Sequence, residues 1–378
     1  MRILVVPDKF KDCLTAAQVA AAIAGGLRQA DPSLDIDPCP MADGGEGTVD
    51  ALVSAAAGHF QTARVTGPLP EMKVNARYGI LGDKKTAVVE LAAASGLALL
   101  NPEDRNPLNT TTFGAGELLM AAAARGAEEI IFGIGGSATV DAGIGIAQAC
   151  GLPVILQDGQ ILSPTEPLVG ANLDDVVLIK HGRGSPIEKI KILVACDVSN
   201  PLLGPNGAAA VYGPQKGASP QQIPLIESAL ARFARRTGKL PIADLPGAGA
   251  AGGVGFAMAA FFGASLHSGA QIVMDAVKLR DRLNRADICI TGEGRLDASS
   301  LSGKTVAAIA AAAAQAAVPC YALVGSIDRN VDISPLALAG ALTIAPDPNF
   351  SIARAENQIA QAAQRLWRNI VAPADPPL

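Results

Sequence analysis

Apolar runs of strand length alternate with amphipathic helical patterns through most of this 378-residue chain, and glycine-rich loops fill the junctions. That alternation constrains the fold most. It predicts an α/β protein built on mostly parallel sheet. Residues 3–6 read as a buried strand. Thr15 then caps a helix in which Val19, Ile23 and Leu27 recur every four residues. Residues 130–134 read as a strand and 144–150 as a helix, with GGSAT between them. Residues 190–195 and 287–291 are further strands, the second followed by a loop and an Ala-rich helix over 306–317. Strands at 319–324 and 341–344 continue the series. A last helix places Ile352, Ala355, Ile359, Ala362, Leu366 and Ile370 on one face. The middle is less regular: 61–66, 72–81 and 86–91 suggest an antiparallel element, while 152–188 and 239–246 read as irregular. At roughly 150 residues per domain, the length suggests two domains.

Net charge is −5, from 30 Lys+Arg against 35 Asp+Glu, with no block of like charge. This excludes a protein that grips nucleic acid by bulk positive charge. The six cysteines are scattered without a CxxC pair and the three histidines are dispersed, so no zinc site is expected and the chain reads as reduced and cytoplasmic. Residues 245–274 carry no Asp, Glu, Lys or Arg, a length that could span a bilayer. Their strongly apolar part is only 254–266, and five glycines precede or begin it, so a buried helix after a glycine loop is the expectation.

Polar or glycine-rich loops stand where strands end or helices begin: PDKFK at 7–11, MADGGEGT at 41–48, GGSAT at 135–139, DVSNP at 197–201, 247–253, and TGEGRLD at 291–297. Ligands of open α/β folds gather at the carboxyl ends of strands, and glycine lets backbone N–H groups approach an anion. Two familiar motifs nearly match and are rejected. The spacing Gly247, Gly249, Gly252 fits G-x-G-x-x-G, but Pro241 and Pro246 precede it where a buried strand is required. Gly303, Lys304 and Thr305 end like a P-loop, but Ala298 occupies the position of its first glycine. Phosphoryl transfer needs charge neutralisation and positioning more than a reactive side chain, and magnesium takes one or two carboxylates. Glu293 and Asp297 flank Arg295 and offer metal ligands beside a cation, or a surface ion-pair cluster. Asp197 could accept a proton from an alcohol, or form an Asx turn with Asn200. Lys11 and Lys304 could neutralise phosphate, or be solvated. Asp43 and Glu46 equally suit a helix entry.

The ordered segments PDKFK, MADGGEGT, ELAAASGLAL, GIGGSAT, ACDVSNPLLGPNGAAAVYGPQKGAS, GAGAAGGVG and TGEGRLD followed by GK resemble the motifs of class II glycerate kinases. The resemblance implies an ATP-dependent kinase acting on the 2-hydroxyl of D-glycerate, with Mg2+ as metal. It implies two α/β domains: a flavodoxin-like one from 1–70 and 286–378, and a mixed insert at 71–285, with the site in the cleft between them. It implies Asp197 and Lys11 as catalytic; Gly252, Gly253, Gly292, Gly294, Arg295 and Lys304 as phosphate- or nucleotide-binding; Asp43, Ser95, Ser137 and Asn200 on the substrate side; and Glu293 and Asp297 as metal ligands. The chain departs from the family pattern at Asp12, Cys13, Val140, Ala142, Ser299 and Ser302. The alternatives are a kinase of the same fold making 3-phosphoglycerate or using another hydroxy acid, a non-catalytic ligand-binding homologue, and a nicotinamide-dependent oxidoreductase, which the proline-preceded glycines disfavour.

Overall fold

A computed structural model describes residues 1–10, 13–42, 44–162, 165–180, 184–297, 300, 305–329, 331–344 and 352–371. In chain order the strands are β1 (Arg2–Pro7), β2 (Asp35–Pro38), β3 (His59–Thr66), β4 (Lys73–Ile80), β5 (Thr86–Glu90), β6 (Glu129–Gly133), β7 (Val154–Leu156), β8 (Val176–Ile179), β9 (Lys191–Ala195), β10 (Ser265–His267), β11 (Ile288–Leu296), β12 (Cys320–Ile327) and β13 (Gly340–Thr343). They fall into two units. One comprises Met1–Asp43, Asp50–Ala57 and Val273–Leu378, the other Gly44–Val49 and Gly58–Ile272.

The first unit holds a five-stranded parallel sheet in the order β13-β12-β11-β1-β2. Numbered within the unit this is 2-1-3-4-5, so the winding reverses between β1 and β11, where open α/β sheets leave a crevice at their carboxyl ends. Thr15 caps helix Ala16–Ala30 as expected, in a reciprocal capping box with Gln18. The helix buries Val19, Ile23 and Leu27 in a cluster with Ile359, Leu366 and Trp367 of helix Ile352–Val371. Gly26 permits that approach, because a Cβ there would stand 2.1 Å from the Ala360 carbonyl oxygen. Leu296, Val306, Ala322, Val324 and Leu336 form a second cluster. Successive β12 residues contribute to both clusters, so both faces of the sheet are covered.

One element is longer than its sequence suggests. The strand expected at 287–291, with a loop after it, continues as β11 to Leu296 and stays paired with β12 through Arg295↔Ser326 and Leu296↔Ile327. Gly292 admits this, since a Cβ there would meet the Leu323 carbonyl oxygen at 2.3 Å. Gly292, Glu293, Gly294 and Arg295 therefore belong to a strand rather than to a loop.

The second unit holds a six-stranded mixed sheet in the order β10-β9-β6-β5-β4-β3. Strands β10, β9, β6 and β5 run parallel, and β4 and β3 add the expected antiparallel edge. The pair β7–β8 lies in the stretch read as irregular, its strands too short to carry a periodic signal. Phe132, Leu118, Leu119, Ile144 and Val254 lie in one core cluster. Phe233, Phe256 and Phe261 meet edge to face within it, with centroids 6.0–6.1 Å apart. Ala250–Phe262 is largely buried, and its regular helix starts after the glycine loop, since Ala251, Gly252 and Gly253 take positive φ. No described helix is long and apolar enough to cross a membrane.

Candidate active site

In the second unit, the loops that follow β5, β6 and β9 leave the carboxyl ends of three adjacent parallel strands. They carry Ser95, Ser137, Asp197 and Asn200, so the fold brings these four predicted residues to one sheet edge. Gly44–Val49 lies over the same edge. A Cβ on Gly133 would stand 2.5 Å from the Gly44 carbonyl oxygen, and one on Gly135 would stand 2.9 Å from Gly45 Cα. Glu90, the last residue of β5, accepts the Val49 N–H at 2.8 Å and ties this loop down. Ser95 and GGSAT are joined by backbone: the Ala138 N–H donates to Ser95 O at 2.9 Å, and Gly96 bridges Ser137. The hydroxyls of Ser95 and Thr139 are fully buried and make no hydrogen bond among the described residues.

Asp197 and Asn200 differ in how their side chains are used. Asp197 is exposed, and its Oδ1 accepts the Gly269 N–H at 2.8 Å and the Ser268 hydroxyl at 3.1 Å. The carboxylate is thus held by the start of helix Gly269–Ala276, where the backbone favours negative charge. Both ends of the Asn200 amide are occupied: Oδ1 accepts from the Tyr212 hydroxyl at 2.7 Å and Nδ2 donates to Asn206 O at 2.8 Å. That bonding shapes the loop 200–212.

Gly252 and Gly253 adopt positive φ, +70° and +95°, and pack on the loop beyond GGSAT. A Cβ on Gly252 would lie 2.0 Å from the Thr139 carbonyl oxygen, and one on Gly253 2.8 Å from Ala142 Cα. The Gly252 carbonyl accepts from the Ala142 N–H at 3.1 Å. Close packing and backbone conformation alone account for glycine at both positions. Val140, a departure from the family pattern, is buried in the apolar core.

A residue to which the sequence assigns no role lies among these loops. Lys216 is 2% exposed, the one buried cation among the described residues. Its ammonium donates to Ser137 Oγ at 2.6 Å and to Thr139 O at 2.7 Å. Burial pulls its pKa down to about 7, and the nearby Asp141 opposes that shift. Asp141 is itself buried. Loss of water pushes its carboxyl up, against hydrogen bonds from the Thr112 hydroxyl and from the backbone of Thr112 and Gly143. Set among Gly213, Pro214 and Gly217, Lys216 carries no sequence mark of burial; a lone lysine reads as solvated.

In the first unit, Pro7 of β1 pairs with Gly292 of β11, which sets Asp8 beside Gly292 and Glu293 at the switch point. Asp8 is 9% exposed. It accepts the Lys9 N–H at 2.7 Å and the Thr305 hydroxyl at 2.6 Å, and Thr305 opens helix Thr305–Gln315. An acid directly after the first strand was legible in the sequence, but its burial was not. Glu293 and Arg295 share a face of β11. The Arg295 guanidinium pairs with Asp328 at 2.8 Å and is largely exposed. Asp297, just beyond β11, is half-buried, and its N–H donates to the Ser300 hydroxyl at 3.2 Å. Lys11, Asp43 and Lys304 lie outside the described residues.

The model of the glycerate kinase family matches residues 3–372. Glycerate 2-kinase of Escherichia coli K12 is 44% identical over 337 residues, covering 88% of this chain and 87% of its own. Glycerate kinase of Haemophilus influenzae is 44% identical, with 88% of each covered. A solved structure of a candidate glycerate kinase 2 from Salmonella typhimurium LT2 superposes with a TM-score of 0.89 at 40% identity, covering 98% of both chains. This chain therefore belongs to the glycerate kinase family.

Proposed function

We propose that the protein transfers the γ-phosphoryl group of ATP to the 2-hydroxyl of D-glycerate, giving 2-phosphoglycerate and ADP. The observation that carries this is the family match along nearly the whole chain, joined by the E. coli relative's name, glycerate 2-kinase. The gathering of polar loops at the carboxyl ends of β5, β6 and β9 supports it, because phosphoryl transfer depends on positioning and charge neutralisation.

Asp197 orients the substrate hydroxyl and takes its proton as the new O–P bond forms. The electron pair of the breaking bond leaves with the β-phosphate of ADP. Gly269 and Ser268 hold one oxygen of this carboxylate, which fixes its direction. Lys11, Arg295 and Lys304 neutralise phosphate, and Gly252, Gly253, Gly292 and Gly294 offer backbone to phosphate or nucleotide. Ser95, Ser137, Asn200 and Asp43 serve the substrate side, and we add Asp8 to the phosphate end. Glu293 and Asp297 are the hard oxygen donors magnesium prefers, and both are half-buried, so the donor set fits that ion. Bound there, it supplies neutralisation of phosphate charge.

The 2-1-3-4-5 order of the parallel sheet, which lies in the unit of Met1–Asp43, Asp50–Ala57 and Val273–Leu378, supports classing that unit as flavodoxin-like. The scattered free thiols support a reducing compartment such as the cytoplasm. The test is ADP release with D-glycerate and related hydroxy acids. We expect D-glycerate to be the preferred acceptor; ADP release that no hydroxy acid stimulates would refute the assignment.

A further inference from the structure

We propose that Lys216 is a positioning residue for the hydroxy-acid substrate: by donating to Ser137 Oγ, it leaves the Ser137 hydroxyl hydrogen to donate outward, to the substrate carboxylate. The inference deepens the kinase reading, with D-glycerate as the acid.

A charged ammonium can only donate. At 2.6 Å it occupies a lone pair of Ser137 Oγ, so the hydroxyl hydrogen must find its acceptor elsewhere. A neutral amine reverses this, because it can accept the Ser137 hydrogen and turn the hydroxyl inward. The second contact, to Thr139 O at 2.7 Å, anchors the ammonium to the loop that carries Ser137. A separate observation also points to an anion. Ser95 and Thr139 neighbour Ser137 along the backbone, through the Gly96 bridge and the chain itself, and each carries a hydroxyl. Both are fully buried donors without a partner among the described residues. Buried hydroxyl donors on the segment that the ammonium anchors suit a carboxylate.

The titratable group that acts on Lys216 is Asp141, on the loop after GGSAT; Arg105 approaches the neighbouring Gly217 by its backbone. Asp141 is held by Thr112 and Gly143, while the ammonium donates to Ser137 and Thr139. Lys216 loses its proton near neutral pH because it is buried. A bound carboxylate favours the charged form, so binding above that pH must draw a proton in.

The experiment is calorimetric titration of the full chain with D-glycerate at pH 8, in buffers of different ionisation enthalpy, beside KM against pH. Wild type should take up about half a proton or more per bound acid, with KM rising up to about tenfold per unit above pH 7. Ser137→Ala and Lys216→Met should abolish the uptake and flatten the rise. Lys216→Arg, which stays charged, should bind without uptake and with a flat KM. Wild type that binds without proton uptake overturns the proposal, as does Lys216→Met with the wild-type pH profile. If Lys216→Met does not fold, Lys216→Arg decides: a flat KM supports the proposal and the wild-type slope overturns it. Turnover without uptake sinks only this inference, and uptake without turnover sinks only the kinase assignment. No binding of D-glycerate sinks both.

Discussion

Asp197 Oδ1 accepts the Gly269 N–H at 2.8 Å, so the proposed proton acceptor also caps helix Gly269–Ala276. An asparagine keeps that acceptor and loses the charge. Asp197→Asn should therefore cut kcat by about 10²-fold or more, while the thermal midpoint stays within about 2 °C of wild type. Asp197→Ala loses the cap as well and should cost about 1 kcal/mol in addition. Steady-state kinetics and thermal denaturation of both variants check this. An asparagine variant with wild-type kcat contradicts the role.

Asp8 and Thr305 make a second, independent case. The Thr305 hydroxyl donates to the Asp8 carboxylate at 2.6 Å, with both residues buried. Thr305→Val keeps the shape and removes the donor to a buried carboxylate. It should destabilise the protein by about 1–3 kcal/mol, as read by urea unfolding.

The fold was largely legible because its elements announce themselves locally. The Thr15 cap, the four-residue spacing of Val19, Ile23 and Leu27, and the apolar run at the start of the chain each encode an element. The extent of β11 was not legible, since a Gly-Glu-Gly-Arg segment reads as a loop until β12 is known to pair along it. At the site, the sequence pointed to loops rather than to states. It named Ser137 but not Lys216, because burial of a cation is a tertiary property. It named Asn200 but not the bonds of its amide to Tyr212 and Asn206, partners that only the folded loop supplies.

Gly252 and Ala142 test the packing that supports the GGSAT segment. Gly252 has φ +70° and would place a Cβ 2.0 Å from Thr139 O, an acceptor of Lys216. Gly252→Ala should cost more than the ~1–2 kcal/mol of the left-handed conformation alone, since backbone must also shift. Ala142 already pays that cost at φ +48°, in contact with Gly253. Ala142→Gly should stabilise the protein by about 0.5–1 kcal/mol, allowing for glycine's greater freedom when unfolded. Chemical denaturation of the two variants should move in opposite directions.

Lys216 also leaves a mark on stability. Its pKa falls from an ordinary 10.5 to about 7 on folding. Between these values the unfolded chain holds a proton that the folded one lacks, so this group makes stability rise with pH across that window. The slope is at most about 1.4 kcal/mol per unit. Below about 7 both states are protonated and the group adds no slope. Comparing unfolding of wild type and Lys216→Met from pH 6 to 9 isolates the effect. The variant should show a flatter rise.

The most direct test of the central assignment is phosphorus NMR of the product formed from ATP and D-glycerate. We expect the phosphoryl group on the 2-oxygen, as 2-phosphoglycerate. A product carrying it only on the 3-oxygen, or ATP consumption that yields no organic phosphate, contradicts the assignment.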